Sequence, residues 1–495
     1  MSEFQSEIVM RFSFPDGELE AWATLGDVTS SSVKVWLRQP AGTVETARLF
    51  VGDEVVAEAR LEPDPAHDMV TAGELRAAQP GASEPFRVEV AGMVRTGRFA
   101  PAENEPASFS FGFGSCHQPF EEGALGDQLR CHAGAGVYEP MLEELRRADA
   151  RFVLLTGDQV YSDGVSSASV REKLKDSDVT DAELVEIYRH LYRGYFNQSG
   201  FRRLNEAMPS YLTWDDHDIF DGWGSQLNPE RWDRRLFAAA ESAYREYQHL
   251  RNPGASLTDV SPYAYGFWYA GVGFFVMDLR GCRDYQAGRV VGDEQWARLD
   301  RFLAEADQRG TSTVMLVASV PVVHLSPALV KATAWIPGNK GTDVRDRWNV
   351  PAFRGDREAL LERCFTWRAS APARQVVILS GDVHVGAAFR VRPRRSTGWP
   401  RGTIVQWTSS ALSTPAGFQH RVANRIGTTL VNLGEPSIVA ARDGMNGRNN
   451  FGIVDVEPLA AGGHRLTFRL HTYEPGRDRV KLGMIVRWPL DAAPE

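Results

Sequence analysis

The sequence predicts an α/β layered protein preceded by an all-β sandwich, and three observations carry that expectation. Residues from about 8 to 104 hold short alternating apolar runs broken by Gly, Pro, Asp and Ser. From about 105 onward, longer apolar runs alternate with helical patterns, as in a layered α/β domain. At 495 residues the chain is also too long for one small core. The expected division is an Ig-like sandwich over 8–104 and a second domain over 105–490.

The sandwich strands are "SSVKVWLRQP" (31–40), "ARLFVG" (47–52), "VVAEARLEP" (55–63) and "PFRVEVAG" (85–92), followed by the linker "FAPAENEPASF". In the second domain, "TDAELVEIYRHLYRGYF" predicts a helix. Thr180 and Glu183 form a capping-box pattern, and Leu184, Ile187, Tyr188, Leu191 and Tyr195 share one face. "RRLFAAAESAYREYQHL" (234–250) predicts a second amphipathic helix.

Composition excludes several classes. A formal charge of −9 and a pI near 5.8 argue against a nucleic-acid scaffold binder, and "RVRPRR" (390–395) reads as a solvated loop. No apolar run reaches the roughly 18 residues of a membrane span. "MSEFQSEIVMRFSF" lacks a basic n-region and apolar stretch, so the chain reads as cytoplasmic, or as secreted where a twin-arginine leader has been removed. Cys116, Cys131, Cys282 and Cys364 are too few for a disulfide framework and include no CxxC pair. Oligomeric state has no sequence signature here.

Four strand-like runs end in chemistry. "FSFGFGSCHQ" delivers Ser115, Cys116 and His117; "FVLLTGDQVYSDG" delivers Asp158, Tyr161 and Asp163. "PSYLTWDDHD" delivers Asp215, Asp216, His217 and Asp218, and "RQVVILSGDVHVG" delivers Asp382 and His384. Strand carboxyl ends line the ligand crevice of α/β sheets, and the glycines before Asp158 and Asp382 suit a tight turn. Carboxylates gathered there repel one another, and a bound cation relieves that most directly. Thiolate, phenolate, carboxylate and imidazole from Cys116, Tyr161, Asp158 and His384 favour Fe3+. Asp216 and Asp382, with Asp158 shared, form an oxygen-only second site suited to Ca2+, and Mn2+, Mg2+ or Zn2+ are the alternatives to this Fe3+ and Ca2+ pair.

"GSCHQ", "GDQVY.D", "WDDHD" and "SGDVH" resemble, in order and approximate spacing, the motifs of the PhoD-like (alkaline phosphatase D) family of calcineurin-like metallophosphatases. "GDVTSSSVKVWLR" is similar to that family's small β-sandwich, so the resemblance covers nearly the whole chain. "GDQVY" also resembles the Gly-Asp-x-x-Tyr element of purple acid phosphatases. The resemblance implies an αββα-type layered catalytic domain in which Asp158 bridges two metals and Cys116, Tyr161 and His384 complete the iron site. Asp216 stands where most such enzymes have an asparagine ligand, and Asp382 where many have a histidine. His217 then contacts phosphate and protonates the leaving group.

The implied reaction is hydrolysis of small phosphate esters, monoester or diester: the cations acidify a water whose hydroxide attacks phosphorus in line. "VMDLRGCRDYQ" offers Arg280 and Arg283, one of which is expected near the phosphate, with a structural salt bridge as the alternative. Arg442, Asn449 and Asn450 are weaker candidates, and His324 replaces the family's further histidine ligand only by displacement. Cys131 and His132 read as non-ligands. "WIPGNKGTDVRDRW" (335–348) is an expected lid. Two other classes compete: a hydrolase using Ser115 or Cys116 as nucleophile, which leaves the acidic residues without roles, and a non-catalytic metal-binding module.

Overall fold

The computed structural model describes residues 13–489 except 79, 124–128, 165–168, 176, 334–343 and 415–417; most of the expected lid lies outside them. Strands Trp22–Val28, Ser32–Arg38 and Val70–Arg76 form one antiparallel sheet. Glu54–Leu61, Glu45–Val51, Pro85–Val90 and Met93–Arg98 form a second. The pleat sends Val33, Val35 and Leu37 into the core between them, with Leu49, Phe86 and Val88. Trp36 points the other way and joins Trp22 in the core of the following region. Four of these seven strands follow the expected runs; Trp22–Val28, Val70–Arg76 and Met93–Arg98 are additional.

Beyond Phe109 the chain builds two facing sheets. The first runs Ser210–Thr213, Ala150–Thr156, Phe109–Gly114, Asn450–Pro458, His464–Glu474, Arg479–Trp488. The second runs Tyr265–Tyr269, Val272–Val276, Thr313–Ala318, Gln375–Ser380, Ile404–Thr408, Gly386–Pro393, Ile438–Asn446. Phe111, Phe113, Phe152, Leu154, Phe274, Met315, Val377 and Trp407 fill the space between them. Val153 and Leu155, on the opposite face of their strand, meet the helices Tyr138–Arg147 and Asp181–Asn197. Both faces of the central parallel strands are thus covered, which is why those strands read as continuous apolar runs. Asp293–Gln308 and Arg354–Ala369 cover the outer face of the second sheet. The layering is α/β/β/α.

The expected helices form. Asp181–Asn197 starts on the Thr180–Glu183 capping box and buries Leu184, Ile187, Tyr188, Leu191 and Tyr195; Arg231–Tyr247 is the second. No described helix is long and apolar enough to cross a membrane. The four cysteines are free thiols.

Strand Trp22–Val28 of the first N-terminal sheet abuts the strand Ser210–Thr213, which is the edge of the first sheet of the following region. Asn252 closes that edge. Its side-chain amide accepts from Leu212 N at 3.0 Å and donates to Leu212 O at 2.8 Å, as a neighbouring strand would. Arg251, wholly buried beside it, donates to Thr24, Asn205 and Ser210 and lies over Trp22, Trp36 and Phe196.

Candidate metal centre

Parallel strands of both sheets end at one edge, so loops from different sheets meet. Asp382 N donates to Ser115 Oγ at 3.1 Å, and Ser319 Oγ to Asp215 Oδ1 at 2.8 Å. Asp218 organises two loops at once: one carboxylate oxygen accepts from Asp158 N at 3.0 Å and Asp215 N at 2.9 Å. Gly157 has φ of 106°, and a Cβ there would lie 2.6 Å from that of Asp215. At Gly381 a Cβ would lie 2.3 Å from Ser115 Oγ. The glycines before Asp158 and Asp382 therefore serve the close approach expected of them.

Four predicted ligands take positive φ: Cys116 (65°), Asp158 (56°), Asp382 (63°) and His384 (53°). Non-glycine residues in this region cost on the order of 1–3 kcal/mol each and persist where surrounding structure dictates their geometry, commonly at functional sites.

The donors converge. Cys116 Sγ lies 3.3 Å from Asp158 Oδ2, and Tyr161 OH 3.4 Å from the same oxygen. Asp158, Asp216 and His217 place ligand atoms within 4.8 Å of one another, as do Asp215, Asp216 and Asp382. His384 belongs to neither group; its backbone N–H bonds Ser410 Oγ at 2.9 Å, the hydroxyl that also lies 3.1 Å from Cys116 Sγ. Three buried oxygens, Asp158 Oδ1, Asp215 Oδ2 and Asp216 Oδ1, have no hydrogen-bond partner. Asp216 Oδ1 does lie 3.3 Å from Arg280 Nη2, without hydrogen-bond alignment.

The electrostatics point the same way. Burial, with repulsion from Asp215, Asp216 and Asp218, holds the Asp158 carboxyl well above the ordinary range despite His217. Burial lifts Asp215 to about 8 against Arg280, and Asp382 to about 6 against Arg347. Burial and the Asp158 charge push the Cys116 thiol and the Tyr161 phenol up as well. These groups ionise together only beside added positive charge, and orphaned carboxylate oxygens with a thiol and a phenol fit a metal cation. A raised thiol is also the reverse of what a cysteine nucleophile needs.

His217 stands at the rim. Its Nδ1 lies 2.7 Å from Asp163 Oδ1, its ring stacks on Tyr161 at 4.2 Å, and 21% of the side chain is exposed, enough for a ligand to reach it. Burial works against protonation, yet Asp163, Asp216 and Asp158 outweigh it and raise the imidazole well above its ordinary pKa. Asp163 also accepts from Asp221 N.

Arg280 reaches the site, paired with Asp215 through Nε and with Asp346 through Nη1 and Nη2 at 2.7 and 2.9 Å. Arg283 binds Ser225 and the Asp346 backbone and lies over Phe353, further from the acidic groups. Both arginines therefore hold ion pairs or backbone bonds around Asp346. Arg347, the next residue, pairs with Asp382. The sequence reading missed the roles of Asp163, Asp218, Asp346 and Arg347. Only Asp163 carried a signal, as the final residue of "GDQVY.D".

The remaining candidates are placed elsewhere. His117 turns into the core, bonded to Tyr138 and stacked on Phe201, and burial lowers its pKa to about 3. His324 pairs with Asn424, and His132 with Gln118 O at 2.6 Å. Asn449 and Asn450 hold the segment Ser409–Thr414 through its carbonyls, and Thr414 Oγ1 in turn donates to Cys116 O at 2.7 Å. Arg442 bonds Thr428.

The family model described as PhoD-like phosphatase matches residues 111–455. Alkaline phosphatase D of Bacillus subtilis (strain 168) is 24% identical over 299 residues, covering 58% of this chain and 48% of that protein. The uncharacterized protein YGR266W of Saccharomyces cerevisiae is 22% identical over 336 residues, 51% of this chain and 47% of that one. The chain thus spans about half the length of the curated relatives it matches. Among solved structures, PhoD superposes with a TM-score of 0.65 at 16% identity over 93% of this chain and 91% of that one. The purple acid phosphatase PPD1 from yellow lupin seeds gives 0.55 at 9% identity, over 93% and 73%. Both likenesses are of fold.

Proposed function

This chain belongs to the PhoD-like phosphatase family, and from that membership we propose that it is a metal-dependent hydrolase of phosphate monoesters or diesters. The observation that carries the proposal is the convergence of Asp158, Asp215, Asp216 and Asp382, three of whose buried oxygens have no hydrogen-bond partner, with Cys116 and Tyr161 beside Asp158. In this reading Cys116, Asp158, Tyr161 and His384 would hold Fe3+, and Asp158, Asp216 and Asp382 would hold Ca2+, with Mn2+, Mg2+ or Zn2+ as alternatives to that pair. Bound there, two cations supply Lewis acidity toward the phosphate and make hydroxide available near neutral pH. The division into a sandwich over 8–104 and a catalytic domain over 105–490 is part of the same proposal.

The chain's own groups do the rest. Asp163 fixes the His217 ring through Nδ1, so Nε2 is the nitrogen offered to the departing oxygen, and Tyr161 holds the ring plane by stacking. Arg280 orients Asp215 and Asp216 and is tied in turn by Asp346. Arg347 on Asp382 is the arginine at the site that joins Arg280 and Arg283 as a phosphate-contact candidate.

Elemental analysis and a visible spectrum of protein purified without an affinity metal test this reading. Stoichiometric iron with a tyrosinate absorption that disappears in Tyr161→Phe is expected, together with turnover of aryl phosphates or bis-aryl phosphates. Absence of bound metal, with no turnover after reconstitution with iron and calcium, overturns it.

A further inference from the structure

We propose that the arginine cleft at the hairpin between Gly386–Pro393 and Ile404–Thr408 is a second anion site, which takes a small ligand carrying several phosphate groups. From Val383 to Gly434 the chain contains seven arginines and no Asp or Glu, in a protein whose acidic residues outnumber its Lys and Arg by 64 to 55. Four of those arginines, Arg392, Arg394, Arg395 and Arg401, line one cleft of about 600 Å³ with Trp399 and Thr403; no acidic residue lines it. Arg390, two residues earlier on the same strand face, is neutralised by Asp443 at 2.8 Å. Among the described residues the four in the cleft have no such partner.

The loop is built rather than loose. Residues Arg395–Thr397 form a tight helical turn ended by Gly398 at φ of 73°. Thr397 Oγ1 donates to Arg394 O at 2.9 Å and accepts from Trp399 N at 3.2 Å. Arg394 and Arg392 are each anchored through Nε, to Ile438 O and Thr403 Oγ1 at 3.0 Å, which leaves their Nη donors outside these bonds. Arg368 adds a fifth cation beside Gly402, and its Nε is buried without a hydrogen-bond partner.

Guanidinium forks match phosphate oxygens, and several multiply charged groups neutralise this cluster better than one. The volume lies within the roughly 300–1,000 Å³ of small-ligand sites. Trp399, packed on Phe365, adds an aromatic surface on which a base can stack. The strand from Gly386 to Pro393 separates the cleft from the His384 loop by roughly 23 Å at the usual rise per residue. The site therefore stands apart from the metal centre and does not depend on the phosphatase reading.

Calorimetric titration of the full chain in EDTA, with inorganic triphosphate and with ATP, tests the proposal, because the acidic metal centre repels both probes under those conditions. One site per chain is expected, weakened about tenfold or more in Arg394→Gln/Arg395→Gln and in Arg401→Gln, and unchanged in Asp158→Asn. Tighter binding of ATP that reverts to the triphosphate value in Trp399→Leu identifies a nucleotide; equal binding identifies an inorganic polyphosphate. Failure of both probes to bind below millimolar concentration, binding indifferent to the arginine variants, or binding of long polyanions alone overturns it.

Discussion

Replacing Asp163 with asparagine probes the His217 proton most directly. Asp163 uses one oxygen on His217 Nδ1 at 2.7 Å and the other on Asp221 N. The Asp221 N–H demands an acceptor, so the asparagine oxygen stays there and its NH2 faces Nδ1. That orientation turns Nδ1 into an acceptor and removes the anion that stabilises the imidazolium. A hydrogen bond to a charged group contributes roughly 1.5–3 kcal/mol, which converts to a loss of about tenfold to about 150-fold. The assay is kcat/KM for a series of phosphate esters whose leaving groups span a wide range of basicity, with metal content measured on each preparation. The loss is expected to be greatest for alkyl esters, whose alkoxides need a proton, and small for nitrophenyl esters. Equal losses across the series, or a change confined to KM, would refute His217 as the proton donor.

Three further outcomes follow from buried groups. His464 is buried against Thr313, and burial lowers its pKa to about 4. The unfolded chain takes up this proton first as pH falls, so stability is lost from about pH 6.5 down to about 4, some 1.8 kcal/mol of it between pH 7 and 5. Urea denaturation should show a pH dependence flattened by about that amount in His464→Asn. Asp27 behaves oppositely: burial raises its carboxyl to about 6 although Tyr211 donates to it at 2.9 Å. Its stabilising contribution is complete below about pH 3.8 and gone above pH 6, so Asp27→Asn should stabilise the fold by up to about 3 kcal/mol at pH 7 and by little at pH 4. Gly157→Ala combines a forbidden φ with a 2.6 Å approach to Asp215. It should destabilise the protein by roughly 2–5 kcal/mol and abolish turnover, while a normal melting temperature would show that the turn has adapted.

The four strand ends were legible because each couples a continuous apolar run to polar residues within a few positions, a local pattern. Asp158 and Asp382 also carry their preceding glycines, whose role the structure explains. The network around Arg280 was not legible, because Asp346 lies 66 positions away in sequence and arrives on a loop with no periodicity. Asp218 stands in "WDDHD" among acidic neighbours from which nothing local in the sequence distinguishes it. It is set apart only by accepting two backbone N–H groups from different strand ends. The helices and most sandwich strands followed from periodicity and capping, whereas Met93–Arg98 was missed because its alternating "MVRTGR" carries little apolar character.

The placement of Trp22 and Trp36 has a consequence for how the chain is made. Their side chains belong to a core completed by Phe196, Tyr247 and Arg251, so the outward face of the first N-terminal sheet has nothing to bury it until residues near 251 have been synthesised. At about 5–20 residues per second, that sheet, whose last strand ends at Arg76, waits roughly 9–35 s on the ribosome with two indoles unburied. During that interval the surface that later buttresses the Ser210–Thr213 strand presents apolar area of the kind chaperones bind.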